Sequence, residues 1–201
     1  MDFAALQTEL YSRGSDYLSD DGAGQTRAKR FLNDAYTEIC EAAAWPFLET
    51  TTTQNVPYTF TNLRHILSVH DPRDNFDLRG VDQENLREWY SDLTTAGQPT
   101  YWYLVGDQLK VFPVGTDTYE LRYIKVPAEL VSDTDTPVLP SRFHRLIVHG
   151  AMLQVLEDRD DYELIAGLQA RYDSLLARMA DSLLGRGQST FLPSGGDYEY
   201  A

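Results

Sequence analysis

The period of the hydrophobic pattern changes twice along the chain, and this change constrains the fold most. Near both ends apolar residues recur at the i, i+3, i+4, i+7 spacing of an amphipathic helix, whereas the middle is rich in Thr and aromatic residues with strand-like alternation. The pattern predicts a β-rich segment over about 46–131, flanked by helices at about 2–13, 25–44, 142–157 and 161–184. Helices around a β segment indicate a mixed α+β fold.

Local signals support the helix boundaries. Asp2 is expected to cap the first helix, and Gly14 to end it. Trp45-Pro46 should end the second, because a residue before proline is disfavoured in the helical region. The third helix is apolar nearly all round, which predicts a central, buried position. The fourth carries an apolar stripe at near-heptad spacing, formed by Ile165, Leu168, Tyr172, Leu175, Leu176, Met179 and Leu183.

The clearest strand signal lies between residues 100 and 126. Tyr101 to Val105 and Gln108 to Phe112 flank Gly106-Asp107, and a two-residue loop with glycine first favours a type II′ hairpin turn. A further strand is predicted from Thr118 to Val126. The segment is therefore predicted to be a three-stranded antiparallel meander.

The layout predicts three parts. Segments 1–45 and 132–184 are expected to form one α-helical bundle, with 46–131 as an inserted antiparallel β-rich lobe. Residues 185–201 are predicted to be an extended C-terminal arm that is flexible when free. Four apolar anchors in this arm are expected to need a partner, namely Phe191, Leu192, Tyr198 and Tyr200.

Composition narrows the class of protein. The 201 residues contain 31 Asp and Glu against 17 Lys and Arg, a net charge of -14, which argues against a sequence-independent nucleic-acid binder but not against DNA that must slide past. No run reaches the roughly 18 apolar residues that span a bilayer, and no secretory signal is visible. Cys40 is the only cysteine, so neither an intrachain disulfide nor a cysteine-based metal site is expected.

Searches for chemistry predict no catalytic, cofactor or metal site. His144 and His149 are five residues apart, whereas zinc ligands on one helix face need i, i+4 spacing. We expect His144 to be a surface group at a helix start and His149 a core or interface residue. The acidic run 157–161 is typical of a helix connector. Nucleophile and phosphate-loop motifs are absent, and Cys40 is predicted to be a buried, inert thiol.

Five short signatures follow one another in a characteristic order. They are Trp45-Pro46-Phe47-Leu48, Gly97-Gln98-Pro99-Thr100-Tyr101-Trp102-Tyr103, Leu109-Lys110-Val111-Phe112-Pro113, Tyr123 to Pro127 with Leu130, and Leu139-Pro140-Ser141-Arg142-Phe143-His144 followed by Gly150-Ala151. In this order and spacing, over about residues 1–184, the chain resembles the head-to-tail adaptor (connector) proteins of tailed bacteriophages.

The resemblance implies a virion protein that forms a ring, usually of twelve copies, beneath the portal of a filled capsid. It places the helical bundle between neighbouring subunits and around the DNA channel, and the β lobe toward the next tail component. It also implies that the C-terminal segment reaches the portal, so that Phe191, Leu192, Tyr198 and Tyr200 are the expected portal-binding residues.

The expected partners are therefore the portal protein, a tail or neck protein below it and further copies of the chain. DNA would pass through the lumen without specific binding, and no membrane takes part. Assembly is expected in the host cytoplasm. Two other interpretations stay open from the sequence: another neck or tail component, such as a stopper or tail-completion protein, and a cellular α+β binding module with a small ligand in its β lobe.

Overall fold

A computed structural model describes residues 1–15, 17–19, 21–115 and 117–185. The described residues divide into two compact units. Residues 1–48 and 127–185 form the helical unit, and Glu49–Val126 form the β unit. The predicted α+β fold class, with helices near both ends and antiparallel-rich sheets between them in sequence, is confirmed.

Four long helices build the helical unit, and each boundary lies within three residues of the predicted one. They are α1 (Phe3–Gly14), α2 (Gly22–Glu41), α4 (His144–Glu157) and α5 (Tyr162–Leu183). Asp2 caps α1 as predicted, accepting the Ala5 N–H at 2.9 Å. Helix α2 starts earlier than expected because Asp21 accepts the Gly24 N–H at 2.7 Å and so satisfies a free donor of its first turn.

Helix α4 is the centre of the helical unit and packs against α1, α2 and α5. Its burial on nearly every side confirms the interpretation of its apolar sequence. Gly150 lies where α4 approaches both α2 and α5 closely. A Cβ placed there would lie 3.0 Å from the Ala35 Cβ of α2 and 3.2 Å from the Tyr172 Cε2 of α5. The absence of a side chain at Gly150 therefore lets three helices meet.

The connector before α4 is held against the first two helices. Asn33 on α2 accepts the Leu130 N–H at 2.8 Å and donates to the Leu130 carbonyl at 3.0 Å. The Phe3 N–H donates to the Asp135 carbonyl at 2.8 Å, and the Tyr36 hydroxyl accepts the Val138 N–H at 3.2 Å. These hydrogen bonds pair backbone N–H and C=O groups of an irregular segment. Without them, the groups would lose their hydrogen bonds to water on burial and gain none in return.

The β unit contains two four-stranded sheets and a short helix, α3 (Gln83–Trp89). The strands are β1 (Glu49–Asn55), β2 (Tyr58–Thr59), β3 (Leu63–Asp71), β4 (Phe76–Asp77), β5 (Arg79–Gly80), β6 (Tyr101–Val105), β7 (Gln108–Phe112) and β8 (Thr118–Lys125). The first sheet has the order β1-β8-β3-β4 and the second the order β2-β7-β6-β5.

The predicted three-stranded meander is wrong, although its first hairpin is right. Strands β6 and β7 pair antiparallel around Gly106, whose φ of +60° suits the first position of a type II′ turn. Strand β8 instead pairs with β1 and β3 in the other sheet. The reason lies after β7, where Pro113 lacks an N–H and Val114 donates to the Thr95 carbonyl at 2.8 Å. This bonding takes the chain away from β7 before β8 begins.

The two sheets share one hydrophobic core. Alternate residues of β8 supply Tyr119, Leu121 and Tyr123, and the second sheet supplies Trp102, Leu109 and Val111 among others. The opposite side of β6 and β7 packs under α3, where Leu86 contacts Tyr103 and Phe112. Strands β6 and β7 are thus covered on both sides.

A buried carboxylate fixes the turn between β3 and β4. Asp71 is fully buried and accepts hydrogen bonds from the backbone N–H of Arg73 at 3.0 Å and from its guanidinium at 2.8 Å. The same guanidinium reaches Asp117, just before β8, at 2.7 Å. These contacts hold the pKa of Asp71 below its ordinary value, chiefly through the side-chain hydrogen bond from Arg73.

Candidate interaction surfaces

Helix α5 is mostly exposed. Only Tyr172, Met179 and Ala180 of this 22-residue helix are buried. The rest of the predicted apolar stripe is half-buried, and Tyr162 and Leu164 are 70% and 52% exposed. The helix therefore rests on α4 along a narrow strip and presents most of its circumference outward.

Between α2, α4 and α5 lies a cavity of about 150 Å³, called here the polar cavity. Its lining consists of Glu38, Gly150, Leu153, Gln154, Glu157, Gln169 and Tyr172. The Oε1 atom of Gln154 is buried and has no hydrogen-bond partner among the described residues. No described residue therefore donates to this acceptor, and a buried acceptor costs free energy unless a water molecule or another bound group supplies a donor.

Two carboxylates and a phenol give the polar cavity its electrostatic character. Burial, and next the charge of Glu157, raise the pKa of Glu38. Burial raises the pKa of Tyr172 strongly, and the charge of Glu38 adds to it. No described residue forms an ion pair with Glu38 or Glu157. The arrangement can therefore accept a cation that donates hydrogen bonds.

On the other side of α4, the guanidiniums of Arg13, Arg145 and Arg171 act on His149, and these four residues are called here the basic side. Arg145 and His149 lie one turn apart on α4, followed by Met152, which faces α1: a Cβ at Gly14 would lie 3.4 Å from its sulfur. His149 is buried, as predicted. Its pKa is lowered by burial and then by the guanidiniums of Arg13, Arg171 and Arg145.

His144 is not the surface group that the sequence predicts. Its side chain is 2% exposed. The Nε2 atom lies 2.8 Å from the Leu139 carbonyl, and Nδ1 lies 2.8 Å from the amino nitrogen of Met1. A position at a helix start is usually open, but here the chain before Pro140 folds back over the ring. His144 therefore holds the entry to α4 in place.

The β unit presents an exposed aromatic surface that sequence reasoning missed. Trp89, at the end of α3, is 52% exposed, with its ring 6.0 Å from that of Tyr101. Tyr90 packs at 4.7 Å on Phe112 and 6.4 Å from Tyr101. The helical spacing of Leu86, Trp89 and Tyr90 indicates an amphipathic turn, but the partner ring comes from a strand that only the tertiary fold brings there.

The structure describes Cys40 but not the four predicted portal-binding residues. Phe191, Leu192, Tyr198 and Tyr200 lie outside the described residues. Cys40 is buried, as predicted. Within the described ranges, no group of three or more His, Cys, Asp or Glu side chains is placed to hold a metal ion. No helix there is long and apolar enough to cross a bilayer.

The helical unit thus has a long helix that is mostly exposed and a polar cavity beside it, and the β unit has an exposed aromatic surface. The profile of the SU10 adaptor protein family matches residues 1–193. The chain therefore belongs to the SU10 adaptor protein family, and its role is that of a bacteriophage structural adaptor. This confirms the resemblance found in the sequence. A search of curated proteins found no match.

Proposed function

We propose that the chain is the adaptor between head and tail, a ring that binds the portal, extends the DNA channel and gives the tail a docking platform. The observation that carries this proposal is the family match over residues 1–193. The role is one of assembly, with no reaction of its own. The chain becomes part of the virion after assembly in the host cytoplasm.

The proposal assigns a task to each part of the chain. Segments 1–45 and 132–184 form the ring, of twelve copies, and 46–131 face the neck or tail protein. A closed ring needs two different, complementary surfaces on each subunit. The exposed circumference of α5 supports this assignment, because it provides surface on both sides of one long helix.

The charge of the chain supports passage of DNA without capture. A net charge of -14 gives no basic footprint that would release counterions from DNA phosphates. A lumen of that character repels the duplex and keeps it mobile.

The C-terminal segment is proposed to hold the ring on the portal, and its removal tests this. A chain that lacks residues 185–201 is expected to keep its helix content and melting temperature but to lose binding to purified portal rings. The physical reason is that the apolar anchors Phe191, Leu192, Tyr198 and Tyr200 are concentrated there. Circular dichroism and a portal pull-down measure the two properties.

A matched pair of full-length variants sharpens this test. Replacing the four anchors by alanine is expected to abolish portal binding, whereas replacing Ser189, Thr190, Ser194 and Asp197 by alanine is expected to preserve it. Unchanged docking of the truncated chain would refute the portal-binding role of the arm. Electron microscopy of virions tests the wider proposal, since a ring located away from the portal would assign the chain to another neck or tail component.

A further inference from the structure

The polar cavity combines two exposed carboxylates with a buried acceptor that has no donor among the described residues. Glu38 and Glu157 face it without a cation from the described residues. The Gln154 carbonyl has no donor, and Tyr172, 5% exposed, lines the same space. An arginine guanidinium carries five N–H donors and one positive charge in a planar fork. One guanidinium would therefore pair with the carboxylates and donate a hydrogen bond to the buried acceptor.

The same helical unit carries exposed arginines on its other side. Arg171 and Arg178 are exposed on α5 and form no ion pair with any described residue. Arg171 belongs to the basic side, since its charge acts on His149 together with Arg145. Among the described residues, the helical unit therefore holds a cavity without a cation and an exposed cation, Arg171, without an ion-pair partner.

These two features lie on different sides of one helix. At 3.6 residues per turn, Gln169 lies about 60° round α5 from Tyr172 in one direction. Arg171 and Arg178 lie about 100° and 120° from Tyr172 in the other direction. One copy cannot close these surfaces on itself, but each can meet the opposite surface of a neighbour. This is the heterologous geometry from which closed rings are built.

We propose that Arg171 of one copy enters the polar cavity of the next copy, where its guanidinium donates to Glu38, Glu157 and the Gln154 carbonyl. The occupant is a second copy of this chain because the unpaired charges of the two sides are complementary. Arg171 is chosen over Arg178 because it lies at the level of Gln169 and Tyr172 along α5. The inference rests on the ring of the proposed function and specifies one of its contacts.

A charge exchange in the full-length chain tests this contact. Arg171→Glu and Glu38→Arg are each expected to weaken association by more than about tenfold, since like charges in an interface cost several kcal/mol. Arg178→Glu is the matched control: it makes the same change on the same side of α5, about 10 Å along the helix. It is expected to change association less than about threefold, because Arg178 takes no part in the proposed contact and an exposed charge contributes little.

Mixing the two damaged variants gives the decisive measurement. In an alternating assembly, the carboxylate introduced at position 171 of one variant meets the guanidinium introduced at position 38 of the other. At the next interface, the unaltered Arg171 of the second variant meets the unaltered Glu38 of the first. A mixture of equal amounts of the two variants is therefore expected to assemble, although neither variant assembles by itself. Sedimentation velocity measures assembly, first of the free chain and then on purified portal rings, and circular dichroism confirms that each variant is folded.

The outcomes separate the two proposals. Restored assembly in the mixture supports the contact. If the unaltered chain forms rings and Arg171→Glu behaves like Arg178→Glu, or the mixture stays dissociated, the contact is wrong and the ring stands. If the unaltered chain forms no ring alone or on portal, the proposed function fails, and the contact fails with it.

Discussion

At the scale of single residues, buried polar groups show how the β unit fixes its loops. Asp71 has no exposed surface, yet it keeps its charge because Arg73 donates to it from both backbone and side chain. The guanidinium also holds Asp117, so one side chain ties the β3–β4 turn to the start of β8. A lowered pKa in the folded state means that this carboxylate adds to stability only while it is ionised.

Asp71→Asn is expected to lower the free energy of unfolding by about 1–3 kcal/mol at pH 7, because a charge-assisted hydrogen bond is lost inside the protein. The folded pKa lies below the unfolded value of about 3.9, so the difference should be full above about pH 4 and should shrink as pH falls through the folded pKa. Urea denaturation at several pH values measures it. Asp107→Asn, in the exposed β6–β7 turn, is the control. Equal losses in the two variants would contradict the role given to Asp71.

At the scale of elements, helix packing depends on how closely backbones approach. Gly150 lets α4 meet α2 and α5, with the Ala35 Cβ 3.0 Å and the Tyr172 Cε2 3.2 Å from where a Cβ would stand. Gly167 on α5 has nothing within 4 Å of the equivalent point. The two glycines therefore have different physical roles although both lie inside helices.

Valine at each of these positions is expected to separate the two roles. Gly150→Val should lower the free energy of unfolding by about 1–3 kcal/mol, because added methyl groups crowd a packed core. Gly167→Val should change it by no more than a few tenths, since valine is a slightly better helix former than glycine and meets open space. Thermal and urea unfolding of both variants measure this. A harmless Gly150→Val would mean that the three helices can shift apart at little cost.

A prediction from the sequence agrees with the structure where the interaction that decides it joins residues close together in the chain. Asp2 and the Gly106-Asp107 turn were predictable because the signal and its effect lie a few residues apart. The partners of β8 were not, because strands β1 and β3 come from much earlier in the chain. His144 was misjudged for a similar reason, since its burial depends on how the preceding connector folds back.

The polar cavity shows the same limit at the level of the candidate site. Glu38 and Glu157 are far apart in the sequence, and each alone reads as an ordinary exposed helix residue. Only the packing of α2 against α4 brings both to the same cavity. The portal-binding residues proposed for the arm stay a prediction.

At the scale of the whole molecule, charge is the dominant physical property. The chain has 31 acidic and 17 basic residues, and the acidic residues are spread along it rather than gathered in a tail. A net charge of -14 disfavours nucleic-acid binding on average, while exposed basic residues such as Arg145 and Arg171 remain available for contacts with protein.

The free chain is therefore expected not to bind duplex DNA, with an apparent Kd weaker than about 10⁻⁴ M even at about 50 mM salt, where phosphate contacts are strongest. Fluorescence anisotropy of a labelled duplex of about 30 base pairs measures this, with a basic DNA-binding protein as positive control. Binding that is tight at low salt and disappears as salt rises would contradict the proposed non-binding lumen.

The shallow seating of α5 has an evolutionary consequence. Because only three of its side chains are buried and the rest of its apolar stripe is half-buried, the exposed positions of this helix can be exchanged without damage to the interior of the helical unit. Natural selection on those positions then depends on the molecules that contact them. A lineage could adjust the proposed contact between copies by altering exposed positions of one helix while the rest of the helical unit keeps its packing.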